Sequence, residues 1–252
     1  MILNELYGIL NNKFPTELRC EWDNDGIMCT SDLNACVERV LISLDVTSDT
    51  VEYAVENGFD TIISHHPLVF KSQKSLTPSN FTQDKLIKLV KNDISVLSFH
   101  TRLDAAQGGV NDALANLLNL QNVTQDNTDS IGRIGFLSER HSLESFASKV
   151  KSALNAPFVL FSGDKVVSKV YVVGGDGKDL IENAIENGCD TIVTGRASYN
   201  TAIDAKDIGI NVVEAGHFYT EHPVCYVLEK ELNSLNQGIY VEVYNSNRIK
   251  VI

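Results

Sequence analysis

The chain repeats itself, and the repeat limits its fold more than any other feature. VEYAVENGFDTIISHH (51–66) aligns without gaps with IENAIENGCDTIVTGR (181–196), with eight of the sixteen positions identical and four more exchanging Val for Ile or Ser for Thr. Each copy sets apolar residues at helical spacing (Val51, Ala54, Val55; Ile181, Ala184, Ile185), then a glycine (Gly58, Gly188) where a helix end favours a left-handed residue. A short apolar strand follows, Thr61 to Ile63 in one copy and Thr191 to Val193 in the other. A β-rich run precedes each copy, VERVLISLDV (37–46) and KVVSKVYVVGG (165–175). A helix and a further strand come after, the strands being ISVLSF (94–99) and INVVEA (210–215).

Strands alternating with helices define an α/β fold with largely parallel sheets flanked by helices. The repeat divides it into two similar halves, expected over 1–125 and 126–252, with the polar stretch QNVTQDNTDS (121–130) as the join. The N-terminal segment predicts an amphipathic helix with Ile2, Leu3, Leu6, Tyr7 and Leu10 on one face. It lacks the basic start and small-residue cleavage site of a signal peptide, and no apolar run approaches the roughly 20 residues of a membrane span. Five cysteines, never spaced C-x-x-C, fit a reducing cytoplasm better than a disulfide framework or a thiolate zinc site.

In sheets of this kind ligands bind beyond the carboxyl ends of the strands. His65, His66, His100, Asp104, His217 and Glu221 all lie just past expected strand ends, and four of the chain's six histidines fall in this set. HTRLD (100–104) and GHFYTE (216–221) pair His100 with His217 and Asp104 with Glu221, each a His-x-x-x-carboxylate beyond a strand. Imidazoles and carboxylates without thiolates suit zinc, iron, manganese or nickel rather than calcium. Six candidates exceed the three protein ligands of a catalytic zinc but suit two metal ions about 3.5–4 Å apart. Adjacent residues of a regular strand point to opposite faces, so His65 and His66 serve one centre only if the strand ends at Ser64, with Pro67 stiffening the exit. His141 and His222 are assigned no ligand role.

Other stretches carry weaker signals. GGDGKD (174–179) lacks the full G-x-G-x-x-G and is expected to be a tight turn, while EWDNDGIMC (21–29) fails the EF-hand spacing and is expected to be a loop anchored by Trp22. A formal charge of −12 opposes long-range attraction of nucleic acid. Lys85, Lys88 and Lys91 recur on one expected helix, a solvated face in the plainer account and a weak nucleic-acid stripe in the other.

Taken in order, EWDNDGIM, SLDVT, ISHHPLVF, HTRLDAAQGGVND, GRIG, GGDG and AGHFYTEHP resemble the GTP cyclohydrolase 1 type 2 homologue family, also called NIF-three-like or YbgI-like, over nearly the whole chain. The resemblance implies a short-form, two-domain α/β protein with a dinuclear metal centre in the cleft between the halves. Carried over by motif, His65, His66, Asp104, His217 and Glu221 are the metal ligands, and His100 is a supporting or additional one. The resemblance also implies a homo-oligomer, often a hexamer built as a trimer of dimers. The family's name suggests purine nucleotide ring opening by a metal-bridging hydroxide. A phosphodiesterase or other phosphate-ester hydrolase is the alternative, with Lys178 and Arg196 as candidate phosphate contacts. A ring-forming scaffold or nucleic-acid-binding protein is the other alternative. The chain departs from the family pattern at Arg196, where an acidic residue is usual, in 197–209, which lacks a histidine often found there, and at Met28-Cys29-Thr30 after the W-D-N motif.

Overall fold

In the computed structural model, which describes residues 1–252, the element order is α1 (Leu3–Lys13), β1 (Gly26–Cys29), β2 (Arg39–Ser43), α2 (Ser48–Glu56), β3 (Thr61–Ser64), α3 (Phe81–Lys91), β4 (Ser95–Ser98), α4 (Thr101–Ala105) and α5 (Val110–Leu117). There follow β5 (Gln121–Gln125), β6 (Arg133–His141), α6 (Leu143–Ala153), β7 (Leu160–Ser162), β8 (Val167–Asp176), α7 (Ile181–Glu186), β9 (Thr191–Arg196), α8 (Tyr199–Ile208), β10 (Asn211–Glu214), α9 (His217–Glu221), α10 (Pro223–Ser234) and β11 (Tyr240–Tyr244). No helix is long and apolar enough to cross a membrane.

The chain divides into two compact units, Met1–Leu103 with Val224–Ile249, and Asp104–Pro223 with Lys250–Ile252. The first holds a five-stranded sheet in the order β1-β4-β3-β2-β11, the second a six-stranded sheet in the order β5-β6-β8-β9-β10-β7. This mixed α/β architecture with two helix-flanked sheets agrees with the expected class.

The details of the division differ from expectation. The cut expected between 125 and 126 is displaced because residues 104–125 pack with the second sheet: Leu114, Ala115 and Leu118 share a core cluster with Phe146, Val150 and Val172. At the other end of the chain, β11 returns to pair in parallel with β2. The polar stretch 121–130, expected as a linker, begins with β5, whose residues are mostly exposed, as suits an edge strand. The first sheet is largely parallel, with only β1 antiparallel to β4. The second is not: β5, β6 and β7 all pair antiparallel, and only β8, β9 and β10 run parallel.

The repeat has a physical meaning in each unit. Gly58 and Gly188 adopt φ of +67° and +66°, the left-handed turn that ends a helix and leads into a strand. The aspartate two residues on then serves the neighbouring strand. Asp60 Oδ2 accepts 2.8 Å hydrogen bonds from the Glu38 and Arg39 amides. Asp190 Oδ2 accepts from the Ser168 and Lys169 amides at 2.9 and 2.8 Å. The next residue, Thr61 or Thr191, donates its hydroxyl to the other carboxylate oxygen at 2.8 Å. Asp-Thr thus satisfies amides that would otherwise open the ladder and sets the register of the central strands. α1 buries Leu3, Leu6 and Leu10, as its periodicity predicts.

Candidate metal centre

In the first unit the chain bends as it leaves β3. Ser64 Oγ donates to the His66 carbonyl at 2.8 Å, and the His66 amide donates to the Leu44 carbonyl at 2.9 Å. The bend brings His65 and His66 to one side, with ring centroids 5.0 Å apart, and His100 joins them at 5.3 and 5.6 Å. Each of the three offers a ring nitrogen, and these lie within 4.8 Å of one another.

All three imidazoles are oriented in the same way. His65 Nδ1 donates to the Phe99 carbonyl at 2.9 Å, His66 Nδ1 to Asp45 Oδ1 at 2.8 Å, and His100 Nδ1 to Asp23 Oδ1 at 2.8 Å. A neutral imidazole that donates through Nδ1 carries its lone pair on Nε2, the arrangement in which an outer carboxylate or carbonyl aligns a metal-binding histidine.

The stretch 21–29, expected as a loop throughout, becomes strand β1 from Gly26, and its loop part is held by its aspartates rather than by Trp22, which is 65% exposed. Asp23 also accepts from the Thr101 hydroxyl and amide at 2.7 and 3.1 Å. Burial pushes the Asp23 carboxyl up, but the hydrogen bonds from His100 and Thr101 outweigh it and hold the group well below the usual carboxylate range. Asp25 pairs with Arg102 through two bonds of 2.7 and 2.6 Å, and both side chains are wholly buried. The Arg102 guanidinium stands 5.2 Å from the Phe99 ring centroid and also donates to Asn11 Oδ1 at 2.7 Å. The turn carrying His100 is therefore tied on both sides to the loop that precedes β1.

In the second unit, the Asp104 and Glu221 carboxylates each offer an oxygen within 4.8 Å of the other. His217 and Glu221, four apart on α9, meet through Nε2 and Oε2 at 2.9 Å. The Asp104 carbonyl accepts from Asn111 Nδ2 at 3.2 Å, and Asn111 Oδ1 accepts from the Gly174 amide at 2.7 Å. Three glycines let α9 lie against the strand ends. A Cβ at Gly175 would overlap Glu221 Oε1, one at Gly174 would come within 3.1 Å of Glu221 Cγ and 2.8 Å of Val110 on α5, and one at Gly195 within 2.5 Å of the Gly175 carbonyl and 2.7 Å of His217 Cα. Gly174, Gly175 and Asp176 thus end β8 and the two glycines seat α9, where a tight turn was expected; a 3-10 turn begins only after Gly177.

The candidate phosphate contacts lie apart from this cluster in character. Lys178 pairs with Asp176 at 3.4 Å and lines a groove with Asp179, Glu182 and Asp204, an acidic setting for an anion. Arg196 is exposed at the end of β9. Of the lysine row, Lys85 donates to the Val46 carbonyl and Lys88 to Glu52 at 2.9 Å, so two of the three are engaged within the fold. His141 contacts Lys149 and Glu139, and His222 stacks on Phe218, its pKa lowered by burial.

Sequence reasoning passed over Asp45 and Asp23 as partners of the histidines. Their signal was present in SLDVT and EWDND, runs whose carboxylates had no assigned work, but their targets lie 21 and 77 residues away.

Two sheets of helix-flanked strands, with histidines and carboxylates gathered at strand ends, define an α/β protein with groups suited to holding a metal ion. The donor set of imidazole nitrogen and carboxylate oxygen fits a divalent transition metal. The sequence profile of the Duf34/NIF3 (NGG1p interacting factor 3) family matches residues 1–250, and the chain belongs to that family. It is 33% identical over 239 residues to a Clostridium acetobutylicum protein named GTP cyclohydrolase 1 type 2 homolog, covering 91% of this chain and 89% of the relative. It is 32% identical over 248 residues to a Clostridium perfringens protein of the same name, covering 95% and 94%. The fold matches a hypothetical protein of Staphylococcus aureus with a TM-score of 0.91 at 28% identity, covering 100% of this chain and 99% of the other.

Proposed function

We propose that the protein is a metal-dependent hydrolase that binds a pair of divalent ions through His65, His66, Asp104, His217 and Glu221, with His100 as a supporting or additional ligand. The observation that carries this is the shared orientation of three histidines by oxygen acceptors on Nδ1. Three separate segments supply those acceptors, and each leaves the lone pair on Nε2 at the face where the three rings meet. Bound ions would polarise a carbonyl or phosphoryl group and make water more acidic at neutral pH.

The chain's own residues do the rest. The Phe99 carbonyl, Asp45 and Asp23 hold a proton on each Nδ1 and present Nε2. Asp104 and Glu221 supply anionic oxygens that offset the cationic charge, and the glycine seat fixes Glu221 against the strand ends. The relatives' name points to the ring opening of a purine nucleotide; a phosphate ester is served by the same groups. A hydrolysis screen of metal-loaded protein across nucleotides, phosphodiesters and cyclic amides tests this, with Asp104→Ala as control. Turnover lost in the variant is expected, and no turnover on any class overturns the hydrolase.

A further inference from the structure

A groove of about 610 Å³ opens beside His66, wholly within the first unit. Three cationic side chains, Lys71, Lys85 and Arg248, line it together with Phe70 and Phe81. Lys85 is partly buried there, donating to the Val46 carbonyl with its Nζ 5.5 Å from the Phe81 centroid. Burial pushes the Lys85 pKa down, against the pull of Asp45 and with the help of Arg248. Asp45 is directed to His66 and Ser246, while Asp49 pairs with Arg248 at 2.7 Å, so a phosphate at Arg248 would share that guanidinium with Asp49 or displace it.

At the same end stand two large aromatics open to solvent. Trp22 is 65% exposed and Phe70 49%. They meet edge to face with centroids 6.1 Å apart, and each lies close to His100, at 6.3 and 6.2 Å. Exposed rings held in fixed mutual geometry beside polar side chains offer a surface for a flat ligand. Phe70 belongs both to this corner and to the cationic groove, so the two features are continuous.

We propose that this groove is an anion subsite, taking the phosphate of a nucleotide-like ligand whose planar ring rests on the Trp22–Phe70 corner beside the histidines. Phosphate recognition then belongs to Lys85 and Arg248 rather than to Lys178 or Arg196. That the ring is the reacting part rests on the hydrolase proposed above; the binding itself does not.

Trp22 is the chain's one tryptophan, so its fluorescence reports on this corner alone. Titration of the full chain with guanosine monophosphate is expected to change that emission saturably. Guanosine, lacking the phosphate, is expected to bind at least tenfold more weakly, and inorganic phosphate to compete without matching the nucleotide's affinity. Arg248→Gln and Lys85→Met should each weaken the nucleotide tenfold or more; Arg248 is largely exposed near the chain's end, so its variant tests the subsite even if Lys85→Met fails to fold. Metal content of Arg248→Gln should equal that of the unaltered protein, which separates the groove from the metal centre. Phosphate-dependent binding in a chain that holds no metal would support the subsite while overturning the hydrolase. Equal affinity for guanosine and its monophosphate would overturn the proposal. So would an Arg248→Gln variant that binds like the unaltered protein while Arg196→Met loses affinity.

Discussion

Gly195 lies directly beneath His217: a Cβ on the glycine would stand 2.7 Å from the histidine's Cα. The corresponding position of the first repeat is His65, which is wholly buried and turns its ring to the Phe99 carbonyl. The same strand exit therefore carries a candidate ligand in one unit and makes room for a helix that carries two in the other. The repeat diverges at this position because the two units present their donors differently.

Gly195→Ala is accordingly expected to destabilise by about 1–3 kcal/mol, because besides the Thr220 hydroxyl it meets two backbone atoms, the Gly175 carbonyl and His217 Cα, that cannot turn aside. Gly8→Ala, within α1 with nothing near its Cβ, is expected to be neutral or slightly stabilising. Denaturant midpoints for the two variants check both, and equal behaviour would remove the steric account of the α9 seat.

Asp45→Asn keeps the shape of the side chain that holds His66 but removes its charge. Metal affinity should fall about 10- to 100-fold, as for other outer partners of metal-binding histidines. Competition with a metal chelator measures this. An unchanged affinity would mean that the Asp45–His66 bond serves packing alone.

The buried Arg102–Asp25 pair predicts an asymmetric result. Arg102→Met leaves Asp25 charged and unpartnered by its guanidinium, a loss of about 3–5 kcal/mol. The double variant with Asp25→Leu should recover part of that loss. A thermal-unfolding cycle tests it; additive losses would show that the two side chains act independently.

How far the sequence revealed this follows from the distance over which each feature acts. The helix-Gly-x-Asp-Thr-strand unit is local, so both copies, their glycine turns and the strand exits at His65 and Arg196 were legible from spacing. Asp60 and Asp190 are identical in the repeat, yet their bonds to the preceding strand become visible only once β2 and β8 lie beside them. β11 pairs with a strand some 200 residues earlier, which no local pattern encodes. The polar β5 reads as a linker because an edge strand with mostly exposed residues lacks the alternation that marks a half-buried one.

Asp126 gives a pH dependence within the second unit. Burial raises its pKa, but the Thr128 amide, the Tyr171 hydroxyl and the Asn183 and Asn187 amides outweigh that and leave it depressed. A depressed folded pKa contributes stability that is present above the ordinary carboxylate value and lost as pH falls through the folded one. Asp126→Asn should therefore lose stability at neutral pH and lose less than the unaltered protein on acidification. Parallel melting curves from neutral to acidic pH would show the difference narrowing, and a constant gap would contradict it.

The central claim is that these histidines and carboxylates are ligands of a pair of divalent ions, and elemental analysis tests it most directly. About two divalent ions per chain are expected. His66→Ala, from the first cluster, and Glu221→Ala, from the second, should each lose at least one while keeping a cooperative melting transition. Full occupancy in both variants, or no bound metal in the unaltered protein after loading with zinc, iron, manganese or nickel, would contradict the account.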